Sequence, residues 1–263
     1  SPTEIRRSTF LTDLFNSVLT KMLSTKFTEN SKVYEVISKS IDEKNIIFAF
    51  KNSSANTYLS SNGWTSNLES KYQSTPINID WNWGNNKANL FIKKNHILSI
   101  NIKDENTIDY SYQIAIQNDS KEEDKLEGAY INYLRVYIPL NAQLTYIRGI
   151  VDNKYDIYNE NGYQVVAGWF NTPIQDSATV DIRYRLKQED SSFFPIEKTD
   201  THYNMVLDIY KQPGSRMESY SLSITYPQEW TLENSRGLTR IENTANRRFE
   251  LSSDQHFSIS WVR

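Results

Sequence analysis

A two-residue alternation of apolar and polar side chains runs through the latter two-thirds of this 263-residue chain. From about residue 88 onward, short alternating segments such as 98–102 and 110–116 are separated by polar turns. Each such segment is typical of a strand with one apolar face to bury, and about nine of them predict two packed antiparallel sheets. Long helical patterns do not alternate with these segments, which argues against a parallel βαβ fold. A closed barrel is the alternative arrangement.

The first part of the chain has a helical pattern instead. Residues 8–24 carry apolar side chains at the spacing of an amphipathic helix, and we expect this apolar stripe to pack on the body of the protein. Residues 31–42 repeat the pattern, and residues 45–50 predict a short buried strand. Asn52 or Ser53 is placed to cap a third short helix. That helix is expected to end near Gly63, which supplies the positive φ common at helix ends.

These patterns predict a mainly β protein with a small N-terminal α/β segment. We expect residues 1–88 to form a mostly helical segment with one or two short strands. Residues 89–263 are expected to form an antiparallel β-sandwich, immunoglobulin-like or jelly-roll-like.

Composition excludes several classes of function. The chain has no cysteine, which excludes disulfides, thiolate zinc sites and cysteine nucleophiles. Its net charge is only −3, so nucleic acid is not expected as a partner. A run of about 18 apolar residues is missing, and no membrane insertion by this portion is expected. The start at Ser1, without Met, predicts a portion of a longer protein whose anchor lies outside it.

No catalytic signature stands out along the chain. The three histidines, His96, His202 and His256, are isolated in sequence, and none lies at metal-ligand spacing. We therefore predict no catalytic residue, no metal site and no cofactor. Asp181 and Asp208 lie on the polar phase of their strands and are expected to face solvent. Carboxylates roughly 5–10 Å apart in a cleft would instead indicate a glycosidase, so enzymatic activity stays open.

The most distinctive local stretch is residues 81–89, WNWGNNKAN. Paired indoles beside amide side chains are typical of a surface that stacks on a sugar and hydrogen-bonds it. In the alternative interpretation, Trp81 and Trp83 share one strand phase and are core, while the Asn residues cap turns. The exposure of Trp81, Trp83 and Trp169 separates the two interpretations. The candidate ligand-binding residues are Trp81, Trp83, Asn85, Asn86, Lys87 and Asn89.

The same stretch, taken with three others, resembles a known family. The others are residues 43–50 (EKNIIFAF) leading to Asn62-Gly63-Trp64, residues 132–139 (NYLRVYIP) and residues 211–214 (KQPG). In this order and spacing they are similar to the C-terminal half of bacterial proteins in domain-of-unknown-function family 4012, over roughly residues 5–230. Asn85, Asn86, Lys87 and Asn89 match the family's pattern.

The resemblance implies location more than activity. It implies an envelope protein with an N-terminal membrane helix, a large outer portion and an upstream region related to enzymes that attach glycopolymers to the cell wall. The family offers no catalytic residues to carry over. We therefore expect the non-enzymatic extracytoplasmic portion of a bacterial cell-envelope protein, located at the cell surface, which presents surfaces for protein or glycan contact.

Two alternatives remain at this point: a carbohydrate-binding module, or an accessory part of a surface-polysaccharide assembly enzyme. The expected partners are a cell-surface glycan or another envelope protein, together with the upstream domain of the same parent chain.

Overall fold

The structure is a computed structural model that describes residues 2–24, 31–49, 51–65, 74–124, 126–190 and 194–262. It divides into two compact units, Ser1–Thr65 and Ser66–Arg263. The division lies well before the predicted boundary at residue 88. The reason is that the strand Ile77–Asn82 pairs along its whole length with a strand of the β unit.

The described residues of the first unit form three helices: α1 (Pro2–Ser24), α2 (Ser31–Asp42) and α3 (Ser53–Ser61). The predicted cap of α3 is confirmed, because Asn52 Oδ1 accepts a hydrogen bond from the N–H of Ala55 at 3.0 Å. Gly63 follows the helix with a φ of +71°.

The prediction of a short buried strand in this unit is wrong. Residues 45–49 form no strand, and Ile46 and Ile47 are exposed; Phe50 lies outside the described residues. The apolar stripe of α1 is not buried within this unit, since Phe10 and Phe15 are each 65% exposed.

The second unit is built from strands. Those among its described residues are β1 (Ile77–Asn82), β2 (Ile92–Asp104), β3 (Thr107–Asn118), β4 (Tyr130–Pro139), β5 (Gln143–Arg148), β6 (Tyr155–Glu160), β7 (Tyr163–Thr172), β8 (Ser177–Lys187), β9 (Ile196–Lys198), β10 (His202–Ile209), β11 (Glu218–Thr225), β12 (Thr231–Ser235), β13 (Thr239–Ile241), β14 (Thr244–Leu251) and β15 (Gln255–Val262).

These strands form three sheets. A seven-stranded sheet has the order β13-β14-β11-β2-β3-β8-β5, and two four-stranded sheets have the orders β1-β4-β7-β6 and β12-β15-β10-β9. The mainly β, sandwich-like fold class is confirmed. Two details differ from the prediction: there are three sheets instead of two, and β11 pairs with β2 in parallel. The parallel pair arises because β11 joins the second edge of β2 only after a long excursion of the chain through other strands.

The main core lies between the sheets and contains the alternating apolar residues of the predicted strands. Leu98 and Ile100 of β2, Ile108 of β3 and Val136 of β4 are all fully buried in it. A smaller apolar cluster, which includes Ile77 of β1, lies on the opposite face of the sheet β1-β4-β7-β6. β1 therefore turns its apolar side chains away from the main core.

Candidate functional site

An aromatic row crosses the sheet β1-β4-β7-β6 at right angles to its strands. Trp81 of β1 is the register partner of Tyr133 of β4, and Tyr133 is the register partner of Trp169 of β7. All three therefore point to the same face of the sheet, over two strand spacings of together about 10 Å. Trp83, just beyond β1, extends the row, because its N–H donates to Ile131 O at 2.7 Å and holds the chain against β4. We call these four residues the aromatic strip.

The rings of the aromatic strip contact one another and also face solvent. The Trp81 and Trp83 centroids are 5.0 Å apart, those of Trp83 and Trp169 are 5.7 Å apart, and those of Tyr133 and Trp169 are 5.0 Å apart. Trp81 is 66% exposed, Trp83 55% and Trp169 41%. The indoles are thus held in place by one another rather than by a core. The interpretation of Trp81 and Trp83 as core residues is wrong.

The turn after β1 is ordered by amide side chains. Asn82 Nδ2 donates to Asn86 Oδ1 at 3.0 Å, and the N–H of Gly84 donates to Asn82 Oδ1 at 2.8 Å. Asn86 Nδ2 donates in turn to the carbonyl of Ala129 at 3.1 Å. Asn86 is therefore a turn-forming residue, as the alternative interpretation of the Asn residues expects. Asn85 adopts a positive φ of 52° in the same turn.

A cavity of about 370 Å³ opens beside Trp81. Its walls come from residues 80–82, from part of the segment 86–94 and from the segment 212–218, and Tyr130 also lines it. Of the candidate residues, Trp81, Asn86 and Asn89 line this cavity, whereas Trp83, Asn85 and Lys87 do not. Trp83 adjoins the cavity through its contact with Trp81, and the side chains of Asn85 and Lys87 are exposed on the turn.

The most buried lining residues carry charge. Lys94 Nζ lies 2.8 Å from Asp80 Oδ1 and 3.2 Å from Glu218 Oε1, and the exposed fractions of these three side chains are 9%, 3% and 7%. The three residues come from β1, β2 and β11, and so join two sheets. We call the cavity, with these three residues in its wall, the charged cavity. Because unpaired charges are costly to bury, the mutual pairing is what allows three ionised groups to lie here.

Further side chains form hydrogen bonds with both carboxylates. Asp80 Oδ2 accepts from Tyr130 Oη at 2.6 Å and from Asn132 Nδ2 at 3.1 Å. Glu218 Oε2 lies 2.8 Å from His96 Nε2, and the other nitrogen of the fully buried His96 lies 2.8 Å from Tyr112 Oη.

Electrostatic interactions keep the charged side chains of this cavity ionised. Burial opposes ionisation of Glu218, but the Lys94 ammonium and the His96 hydrogen bond outweigh burial and lower the Glu218 pKa to about 2. Burial also opposes the charge of Lys94, yet Asp80 and Glu218 raise the Lys94 pKa above its ordinary value. Burial raises the pKa of Tyr130, so its hydroxyl stays protonated and donates to Asp80.

The loop wall of the cavity is a fixed turn. Pro213 and Gly214 occupy its central positions, Gly214 has a φ of +73°, and the N–H of Ser215 donates to Gln212 O at 3.2 Å. These features identify a type II turn. The buried Lys211 stabilises the turn, because its Nζ donates to Ser215 O at 2.6 Å. Arg216 follows this turn directly and lines the cavity.

Sequence reasoning missed most of the charged cavity. Lys94, His96, Tyr130 and Glu218 are scattered along the chain, and only Asp80 lies next to the candidate stretch 81–89. Polar residues at buried phases of β2, namely Lys94 and His96, were the available signal.

Elsewhere, Asp181 is buried rather than solvent-facing, and Arg183 Nη2 pairs with its Oδ2 at 2.7 Å. Asp208 pairs with the exposed His256 at 2.7 Å. Within the described part of the chain, no group of three or more His, Cys, Asp or Glu side chains is placed to hold a metal ion. None of the described helices is both long and apolar enough to cross a membrane.

Comparisons with known proteins give only distant likenesses. No protein-family model matches the chain, and no curated protein matches its sequence. A putative nutrient-binding protein of Legionella pneumophila is 8% identical, with 72% of this chain and 70% of that chain covered, at a TM-score of 0.39. An M1 zinc metallopeptidase of Deinococcus radiodurans is 6% identical, with 65% and 42% covered, at a TM-score of 0.34.

The folded domain of LppM from Mycobacterium tuberculosis is 8% identical, with 64% and 89% covered, at a TM-score of 0.32. This chain thus spans less than half of the metallopeptidase. With TM-scores below 0.5, none of these likenesses bears on function.

Proposed function

We propose that this chain is a carbohydrate-binding, non-enzymatic portion of a bacterial cell-envelope protein, and that the aromatic strip is its glycan-binding surface. The observation that carries the proposal is the joint exposure of Trp81, Trp83 and Trp169, which contact one another in one strip. Solvent exposure of large aromatic rings is unfavourable, so a contiguous cluster of them indicates a contact surface.

A sugar suits the chemistry of this surface. One face of a pyranose ring carries C–H groups that pack on an aromatic face, while its rim carries hydroxyls that need hydrogen-bond partners. The strip supplies the ring faces, and the adjoining cavity supplies amide and charged groups, among them Asn89 and Lys94. This combination of apolar faces with a few polar groups is the usual composition of a small-molecule site.

The charged cavity favours binding over hydrolysis. A glycosidase needs one carboxyl group that is protonated at working pH, which requires a raised pKa. Glu218 has a pKa lowered to about 2 instead, and both oxygens of Asp80 and of Glu218 already have partners. These carboxylates serve to hold Lys94 and two sheets together.

The extracytoplasmic location rests on the family resemblance of the sequence. It is tested in cells of the source bacterium by labelling the parent protein with a membrane-impermeant amine reagent. Labelling of intact cells supports the location, and labelling only after lysis contradicts it.

Glycan binding is tested with the purified chain on a glycan array, followed by titration calorimetry with the best ligand. Trp81→Ala should abolish binding and leave the circular dichroism spectrum and the melting temperature nearly unchanged, because the ring is mostly exposed. Tyr146→Ala, an exposed aromatic on the seven-stranded sheet, is the matched control and should bind normally. The proposal is rejected if Trp81→Ala folds and binds like the unsubstituted chain, or if no glycan on the array binds.

A further inference from the structure

We infer that the glycan is acidic, and that Arg216 at the charged cavity binds its carboxylate or phosphate while the aromatic strip holds a neighbouring ring. This inference rests on the proposed function and adds the ligand class to it. It is drawn from the arrangement of charges around the cavity rather than from the strip itself.

Arg216 is a cation without a partner in the described part of the chain. It is exposed and lines the cavity together with Trp81, and no ion pair or hydrogen bond joins it to any described residue. Arg183 and Arg185 differ, because they face the carboxylates of Asp181 and Asp109 at 2.7 Å and 2.6 Å. A guanidinium presents paired N–H donors that match the two oxygens of a carboxylate or phosphate.

The backbone that carries Arg216 is held in place. Its neighbour Ser215 is fixed by three hydrogen bonds: its N–H and its hydroxyl both donate to Gln212 O, and its carbonyl accepts from Lys211 Nζ. On its other side Glu218 is buried against Lys94 and His96. Arg216 therefore projects from a fixed segment, and only its own side chain must be ordered when an anion binds.

The charges in the interior of the cavity disfavour an anion there, and so they determine which end of the ligand faces inward. Asp80 and Glu218 both face Lys94, and Glu218 also lies 2.8 Å from His96 Nε2, so an acid group placed beside these two carboxylates meets their charge while the cations next to them are already paired. The Lys94 ammonium has three N–H donors, and two of them face Asp80 and Glu218. The third suits a neutral acceptor, such as a sugar hydroxyl, so the hydroxyl lies inward and the acid group outward at Arg216.

The test compares an acidic oligosaccharide with its neutral methyl ester, and adds one cationic probe and a second anionic probe. The full chain is titrated calorimetrically with oligogalacturonate, with its methyl ester and with a chitosan oligomer at low salt; a polyol phosphate oligomer is the second anionic probe. We expect the free acid, the phosphate or both to bind roughly tenfold or more tighter than the ester. The preference should shrink as salt is added. The two anionic probes distinguish a carboxylate ligand from a phosphate ligand.

Arg216→Gln should remove the preference for the acid and leave binding of the neutral ester unchanged. Arg236→Gln, which removes an exposed arginine outside the cavity lining, makes the same change in net charge and should keep the preference. Equal affinity for acid and ester, tighter binding of the chitosan oligomer, or equal behaviour of the two variants overturns the inference. If glycans still bind in a Trp81-dependent way, the proposed function survives that result; if none binds, the proposed function fails with it.

Discussion

The side-chain amide of Gln212 pairs with the backbone of Asp80 through two hydrogen bonds, as a residue of a neighbouring strand would. The N–H of Asp80 donates to Gln212 Oε1 at 3.1 Å, and Gln212 Nε2 donates to Asp80 O at 2.9 Å. Because β1 is the edge strand of its sheet, these backbone groups have no strand partner on that side. The pairing docks the 212–215 turn onto β1 and so joins two walls of the charged cavity.

Gln212→Ala should therefore release the turn that carries Arg216. Two partly buried hydrogen bonds are lost, and we expect a destabilisation of about 1–2 kcal/mol, measured by urea unfolding. Glycan affinity should also fall, because the released turn no longer holds Arg216 in place. Gln212→Glu keeps an acceptor for the Asp80 N–H but sets a carboxylate oxygen against Asp80 O, so it should destabilise the protein at least as much as Gln212→Ala. Normal affinity in Gln212→Ala would show that the turn does not shape the site.

The turn itself illustrates what the sequence can predict. Pro213 restricts φ and Gly214 accepts a positive φ, so the pair specifies a type II turn from local chemistry alone. The partner of that turn lies 132 residues away at Asp80, and no local pattern encodes the contact. The turn was predictable for this reason, and its docking was not.

Among the described charged side chains, we expect the loss of Lys94 to lower the stability of the protein most. Lys94→Met leaves Asp80 and Glu218 buried beside each other without a cation, which should cost about 3–5 kcal/mol in urea unfolding at pH 7. Lys93→Met is the matched control, because the side chain of Lys93 is 74% exposed and its pair with Asp119 is at the surface. Adding Asp80→Asn and Glu218→Gln to Lys94→Met should recover part of the loss. Equal stability of the Lys93 and Lys94 variants would contradict the role assigned to the charged cavity.

The same cluster explains why the aromatic strip faces outward. The sequence of β1 alternates, and the usual rule buries the apolar phase of Ile77, Ile79 and Trp81 in the main core. In the structure the polar phase faces the seven-stranded sheet instead, where Asn78 accepts from Tyr112 Oη and Asp80 meets Lys94. The alternation therefore predicted a strand correctly but not which face is buried. That choice depends on polar partners supplied by β2, β3 and β11, which are distant in sequence.

Stability should depend on pH through Glu218. Its pKa is lowered from 4.5 to about 2 in the folded protein, so the folded state favours the ionised form. The resulting stabilisation is complete above the unfolded-state pKa and is lost as pH falls through 4.5 toward 2. At pH 7 it amounts to about 3 kcal/mol as an upper figure. Urea unfolding of the unsubstituted chain and of Glu218→Gln should give a stability difference that is large at pH 7 and much smaller at pH 3. A difference that is constant with pH would show that Glu218 does not carry this dependence.

Tyr110 and Tyr112 offer a matched test of buried hydroxyls on one strand. Both are buried on β3, but Tyr112 Oη donates to Asn78 Oδ1 at 3.0 Å and lies 2.8 Å from His96 Nδ1. Tyr110 Oη has no hydrogen-bond partner among the described residues. Burial of an unpaired hydroxyl is unfavourable, so Tyr110→Phe should leave stability unchanged or raise it by up to about 1 kcal/mol. Tyr112→Phe leaves Asn78 and His96 short of a partner and should cost about 1–3 kcal/mol. Thermal and urea unfolding of the two variants measure the contrast, and a larger loss in Tyr110→Phe than in Tyr112→Phe would contradict it.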